Sequence, residues 1–282
     1  MGILNNATEF VTSFMKRKPV VAGPPHLMTP VKFPHGPFQF RIQITPGATY
    51  EIQTSTDLKN WTTRSSGTAV GETVEYLDSD APKHTFQFYR AIAGGTFPSR
   101  NVLGYATVSL PPGFSMIANP FNATSNAVAT ILPGMPDGTT LSKFDTSLFR
   151  LTDNSVKNGK WINPGETLNS GEGAIIFNPT TDFKFIDFSG DVNLGNLSSP
   201  IPAGFSIRSS LVPQPGRLST DLGFPVSDGD VIHLFDRDSQ KYLIYPYPSK
   251  EWDSNPPVVG VGESFWVGKT SPGNWTRNFV VQ

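Results

Sequence analysis

The chain has 282 residues, with 26 glycines, 26 prolines, 21 phenylalanines, no cysteine and 16 % charged residues, where about 25 % charged is usual for soluble proteins. That composition favours strands and turns, and the lack of cysteine excludes disulfides, thiolate nucleophiles and cysteine-held zinc. A net charge of −1 provides no field for gathering phosphates, so a nucleic-acid partner is disfavoured.

At the N-terminus, Ile3, Ala7, Phe10, Val11 and Phe14 recur at helical spacing and predict a short amphipathic helix, with Leu4 beside the stripe. Lys16-Arg17-Lys18 follow where a helix C-terminus favours positive charge, and Pro19 ends the element. A helix this short is marginal alone in water and needs a surface. Three surfaces are open to it: its own β domains, a neighbouring subunit, or a membrane face met by the basic cluster. Ile3, Leu4, Phe10, Val11 and Phe14 are therefore the candidate self-association residues. The first residues lack the basic and apolar regions of a secretory signal, and no run approaches the ~20 apolar residues of a membrane helix. Residues 20–37 carry five prolines and little periodicity, which predicts an extended arm. Residues 1–37 form the first unit.

From Phe38 the period becomes two. Phe38, Phe40, Ile42 and Ile44 alternate with Gln39, Arg41 and Gln43, and Tyr50, Ile52 and Thr54 resume the alternation after Pro46-Gly47. Val74 and Tyr76, then Phe86, Phe88, Arg90 and Ile92, complete a set of short strands. The run Tyr50-Glu51-Ile52-Gln53-Thr54-Ser55-Thr56-Asp57-Leu58-Lys59-Asn60-Trp61, with Tyr76-Leu77-Asp78 and Phe88-Tyr89-Arg90, resembles a small module common in large exported proteins of Verrucomicrobia-like and planctomycete-like bacteria. The resemblance covers about residues 38–93. It implies an immunoglobulin- or fibronectin-III-like sandwich in an exported protein, with no catalytic residues to carry over. In such a module Tyr50 and Ile52 face the core, Asp57 caps a turn and Trp61 plugs the end of the sandwich.

The rest of the chain is a tandem repeat at an offset of 91 residues. Pro111, Gly113-Phe114-Ser115 returns as Pro202, Gly204-Phe205-Ser206; Asp137-Gly138 as Asp228-Gly229; Phe144-Asp145 as Phe235-Asp236; Trp161 as Trp252; Gly171-Glu172 as Gly262-Glu263. The matched residues read as turns and core. Pro-x-Gly-Phe-Ser opens a strand, Asp-Gly supplies the positive φ of a hairpin turn, and the following Phe starts an inward face. The expected architecture is all-β: β-sandwich or small-barrel modules behind a short helix and arm, divided as 1–37, 38–96, 97–199 and 200–282.

Candidate chemistry is sparse. The histidines, His26, His35, His84 and His233, have no ligand-pair spacing, and His233 reads as an ordinary strand residue. Gly262-Glu263-Ser264 lacks the second glycine of a nucleophile elbow. Glu172 and Glu263 correspond across the repeat but read as turn carboxylates accepting main-chain N–H bonds. Asp78-Ser79-Asp80 and Asp228-Gly229-Asp230 lack the continuation of a calcium loop. No catalytic residue, metal or cofactor is expected. Tyr245 and Tyr247, beside Pro246 and Pro248, read as an exposed loop and are the candidate ligand-contact residues, with a glycan as the partner they would suit. The leading expectation is a non-enzymatic structural subunit of an extracellular or surface assembly, polymerising through its N-terminal segment. The alternative is an array of carbohydrate- or surface-binding modules.

Overall fold

The structure, a computed structural model, describes residues 22–247, 252 and 256–281. The predicted helix over Ile3–Phe14 lies outside the described residues. The remainder is all-β and built in layers.

The first sandwich contains β1 (His26–Lys32), β2 (Phe38–Gln43), β3 (Thr49–Ser55), β4 (Thr62–Thr68), β5 (Thr73–Asp78), β6 (Phe86–Ala93) and the short β7 (Phe97–Pro98). One sheet runs β1-β2-β5, and β4-β3-β6 lies in the other. Alternation in β2 turns Phe38, Phe40 and Ile42 inward, where they meet Ile52, Tyr89 and Ala91. Phe38 stacks on Tyr89 at 4.9 Å, and the Tyr89 hydroxyl donates to Asp78 at 2.6 Å. Burial and that carboxylate push the Tyr89 phenol far above its ordinary value.

The expected arm over residues 20–37 is corrected here. Residues His26–Lys32 form a strand that pairs with β2, and Leu27 is buried in the first core. The prolines did not prevent this because β1 is an edge strand. Pro30 sits in a bulge between Met28 and Val31, with Thr29 at φ +52°.

The boundary expected after residue 96 is also corrected. Strand β8 (Leu103–Leu110) pairs with β6, and β14 (Lys184–Asp191) pairs with β8, so one sheet of order β14-β8-β6-β3-β4 spans both units. Leu103 and Tyr105 face the first core; Ala106, Val108 and Leu110 face the second. A sheet with apolar side chains on both faces is buried on both faces. The turn after β3 serves the same junction: Leu58 and Trp61 pack into the second core rather than plugging the first sandwich, and Arg90 stacks on Trp61 at 4.5 Å. Asp57 does cap that turn. Desolvation raises its pKa, but hydrogen bonds from the main-chain N–H groups of Asn60 and Lys59 outweigh it and hold the carboxyl well below its ordinary value.

Copy 1 closes its core with β9 (Gly113–Ile117), the one-turn helix α1 (Val128–Ile131), β10 (Thr140–Asp145), β11 (Arg150–Lys157), β12 (Lys160–Trp161) and β13 (Ala174–Asn178), in sheet order β12-β11-β10-β13-β9. Copy 2 consists of β15 (Gly195–Ile201), β16 (Gly204–Ser209), β17 (Gly216–Arg217), β18 (Val231–Asp236), β19 (Lys241–Pro246), β20 (Val258–Val259), β21 (Ser264–Lys269) and β22 (Gly273–Phe279). Its main sheet runs β16-β21-β18-β19 over the β15-β22 pair. The repeat holds down to the register: Gly113 faces Asn178 as Gly204 faces Lys269, and Asp145 faces Arg150 as Asp236 faces Lys241. The first strand of each copy precedes the Pro-x-Gly-Phe motif, so the division expected at 199/200 cuts through β15 and moves to the link between β14 and β15. Copy 2 has its own core around Phe224, Phe265 and Trp275, while Val212 and Phe279 join the core of copy 1.

Two local expectations change. Gly138 and Gly229 have φ +87° and +83°, but they precede β10 and β18; the hairpin tips come after Asp145 and Asp236 instead. Phe144 and Phe235 lie on the outer face, because Leu141 and Ile232, one step out of phase, are the buried residues.

Candidate functional site: an aromatic cleft between the repeats

The two copies meet across a seam with pseudo-twofold symmetry. Ile117 bridges Glu263 while Glu172 bridges Arg208, and each pair maps onto the other through the repeat. The Ala118 N–H donates to the Gly262 carbonyl at 2.9 Å, as Ser209 does to Gly171 at 3.2 Å. Such reciprocity is that of an isologous interface, here made within one chain. It brings the hairpin tip of each copy onto the outer sheet face of the other.

Those outer faces differ. In copy 1 the positions around β10 and β11 are polar: Ser142 donates to Asp153 at 2.6 Å, and Thr140 and Ser155 share a hydrogen bond at 3.2 Å. Copy 2 places Val231, His233, Ile244 and Pro246 at the matching sites, paired in the same register. Phe205, Trp266, Phe235 and Tyr242 complete its face. Both faces keep apolar residues at the other matched positions, Phe114, Phe144, Leu151 and Ile175 in copy 1, so the two differ at one cross-strand patch, where Ile244, 61 % exposed, stands in place of the Asp153 carboxylate.

The tips differ as well. On one side of the seam, Gln240 clamps the Phe114 main chain, accepting from its N–H at 2.8 Å and donating to its carbonyl at 2.9 Å. On the other side the matched residue is Phe149, in the same left-handed conformation (φ +52° against +54°), and a phenyl ring cannot form that clamp. The result is a one-sided cleft of about 330 Å³ lined by Phe144, Phe149, Phe205, His233, Tyr242 and Trp266. Its rings meet mostly edge to face, Phe144 on Trp266 at 4.9 Å and Phe144 on Phe149 at 5.4 Å. The Trp266 indole N–H donates to the Tyr242 hydroxyl at 3.2 Å. Desolvation lowers the His233 pKa, which favours the neutral ring. The cleft walls are therefore ring carbon with little polar capacity left over.

The sequence candidates fall elsewhere. Tyr245 belongs to strand β19, not a loop, and packs against the copy 2 core; Tyr247 meets Trp252 edge to face at 4.9 Å. Trp161 is core, its indole donating to the Leu132 carbonyl at 3.0 Å. Glu172 and Glu263 each accept a main-chain N–H at 2.9 Å, from Asn169 and Gly260, and pair with Lys143 and Arg237. The acidic turns spend their carboxylates internally: Asp80 on Lys83, and Asp230 on the buried Lys269. Among the described residues no three His, Asp or Glu side chains are grouped to hold a metal, and no helix is long and apolar enough to cross a membrane. The signal in the repeat alignment is confined to two lining positions, His233 against Ser142 and Phe149 against Gln240; the other lining residues are apolar in both copies.

No protein-family model matches the chain, and no curated protein resembles it in sequence. Among solved structures it is similar to a tetra-tandem repeat in the extending region of a large adhesion protein, with 8 % identity and a TM-score of 0.24 over 93 % of this chain and 75 % of that one. A likeness that slight carries neither fold nor function across.

Proposed function

We propose that the protein is a non-catalytic structural subunit of an extracellular or surface assembly, joined to its neighbours through apolar contacts that include its N-terminal segment. The observation that supports this reading is a patch on the outer face of copy 2, Val231, His233, Ile244 and Pro246 beside Tyr242 and Trp266, where copy 1 carries Thr140, Ser142, Asp153 and Ser155. An exposed apolar patch of this kind marks an interaction surface. The alternative reading is a glycan, whose C–H faces would stack on the rings of Tyr242 and Trp266. The repeat-matched carboxylates Glu172 and Glu263, and the buried Asp230, are held in ion pairs.

The test is sedimentation of the full chain over a hundredfold concentration range, with electron microscopy of the heaviest fraction. Concentration-dependent growth into dimers, filaments or layers is expected. A single species of one-chain mass throughout would overturn the proposal.

A further inference from the structure

We infer that the outer face of the copy 2 sheet, with the aromatic cleft at its edge, is the receptor for residues 1–21 of a second copy of this chain. The inference rests on the assembly reading above and adds where the segment lands.

Residues 1–21 carry a stripe of Ile3, Ala7, Phe10, Val11 and Phe14, which as a helix has one apolar face and needs an apolar partner. Phe205, His233, Phe235, Tyr242, Ile244 and Trp266 form such a partner surface. Phe10 and Phe14 are one helical turn apart, the spacing by which a helix anchors in a groove. The cleft, at about 330 Å³, is at the small end of ligand pockets, roughly 300–1,000 Å³, and is of a size for side chains.

Reach favours a neighbour over the chain's own cleft. Ala22 packs on the first core beside Gly94, and Pro25 bonds Arg100 just before β8 begins. The copy 2 hairpin that carries Tyr242 meets the chain at the other end of β8, where Arg237 donates to Ser109. Six residue steps along the strand separate Leu103 from Ser109, roughly 20 Å. After a helix ending near Phe14, seven residues remain before Ala22, about 25 Å at full stretch. Self-docking would need that link pulled nearly straight, whereas a neighbour's cleft imposes no such demand.

The test begins with the chain lacking residues 1–21; a longer cut would remove β1. A labelled synthetic peptide of residues 1–21 is titrated into it and followed by fluorescence anisotropy, and the full chain is sized in parallel by sedimentation. Saturable peptide binding is expected. It should fall at least tenfold with Ile244→Asp or Trp266→Ile, which install the copy 1 residues, and with Phe10→Ala/Phe14→Ala in the peptide. Val70→Asp, fully exposed in the first sandwich, should change it less than twofold, and unchanged circular dichroism guards against misfolding. Binding that ignores the copy 2 substitutions, or no binding at all, overturns the inference. If the full chain still assembles in that case, the assembly reading stands without it. Peptide binding at the face by a full chain that stays one-chain in mass would mean docking in cis, which overturns both.

Discussion

Copies 1 and 2 share strand order, register, turn glycines and several outward apolar residues, yet one outer sheet face carries a ladder of Ser142, Asp153, Thr140 and Ser155 where the other carries His233, Ile244, Val231 and Pro246. Inward positions resist change because an altered core side chain leaves a cavity or a clash. Outward positions carry no such constraint, so divergence collects there. The difference between the copies therefore points to function more directly than anything they share.

The deepest contrast between the copies is buried. Lys269 and Asp230, with side chains 3 % and 0 % exposed, replace Asn178 and Thr139 of copy 1. Lys269→Ala should cost about 3–5 kcal/mol by stranding a buried charge, and Asn178→Ala about 1–3 kcal/mol; urea denaturation compares them, and equal losses would refute the contrast. Burial raises the Asp230 pKa, but Lys269 and the Thr270 and Ser227 N–H groups prevail and hold it below its ordinary value. The associated stability is thus present above about pH 4 and lost as pH falls through the native pKa. Replacing both residues by the copy 1 pair, Asp230→Thr with Lys269→Asn, should flatten that acid limb.

Next comes the seam. A Cβ on Gly173 would lie 2.5 Å from both the Ile207 Cγ2 and the Ser264 Cβ, so Gly173→Ser, which copies the matched residue, should cost about 1–3 kcal/mol by overpacking. Ser264→Gly should cost about 1 kcal/mol or less. Thermal unfolding of the two variants reads the asymmetry directly.

A gain is expected from Phe149→Gln. It installs the Gln240 clamp on the second side of the seam, adding about 1 kcal/mol while closing the cleft; a variant that binds the N-terminal peptide as before would show that the cleft is not the anchor. The smallest effect belongs to His233. Desolvation depresses its pKa in the fold, so its contribution is present above the ordinary value of about 6.5 and declines as pH falls through the native one. His233→Ser, the copy 1 residue, should abolish the difference in melting temperature between pH 7.5 and 5.5 that this group causes.

Much of the scaffold was legible in advance. Period-two alternation marked Phe38, Phe40 and Ile42 as inward, and the constant offset marked the repeat, because both patterns are written by side chains that must pack or turns that must close. The edge strand β1 was not legible: its prolines disguise a pairing that tolerates them only at an edge with a bulge. The double-sided central sheet was hidden for a similar reason. Leu58 and Trp61 look like parts of their own module until copy 1 is folded against them.

The sequence by itself determined the all-β class, the tandem duplication and its matched turns, since these follow from local periodicity and from φ values that few residues accept. Only the tertiary structure decided which outward faces meet. Phe144 and Phe149 are far in sequence from Phe205, Tyr242 and Trp266, and nothing local brings them together. The seam does so, and the replacement of one glutamine by one phenylalanine leaves a cleft on a single side of it.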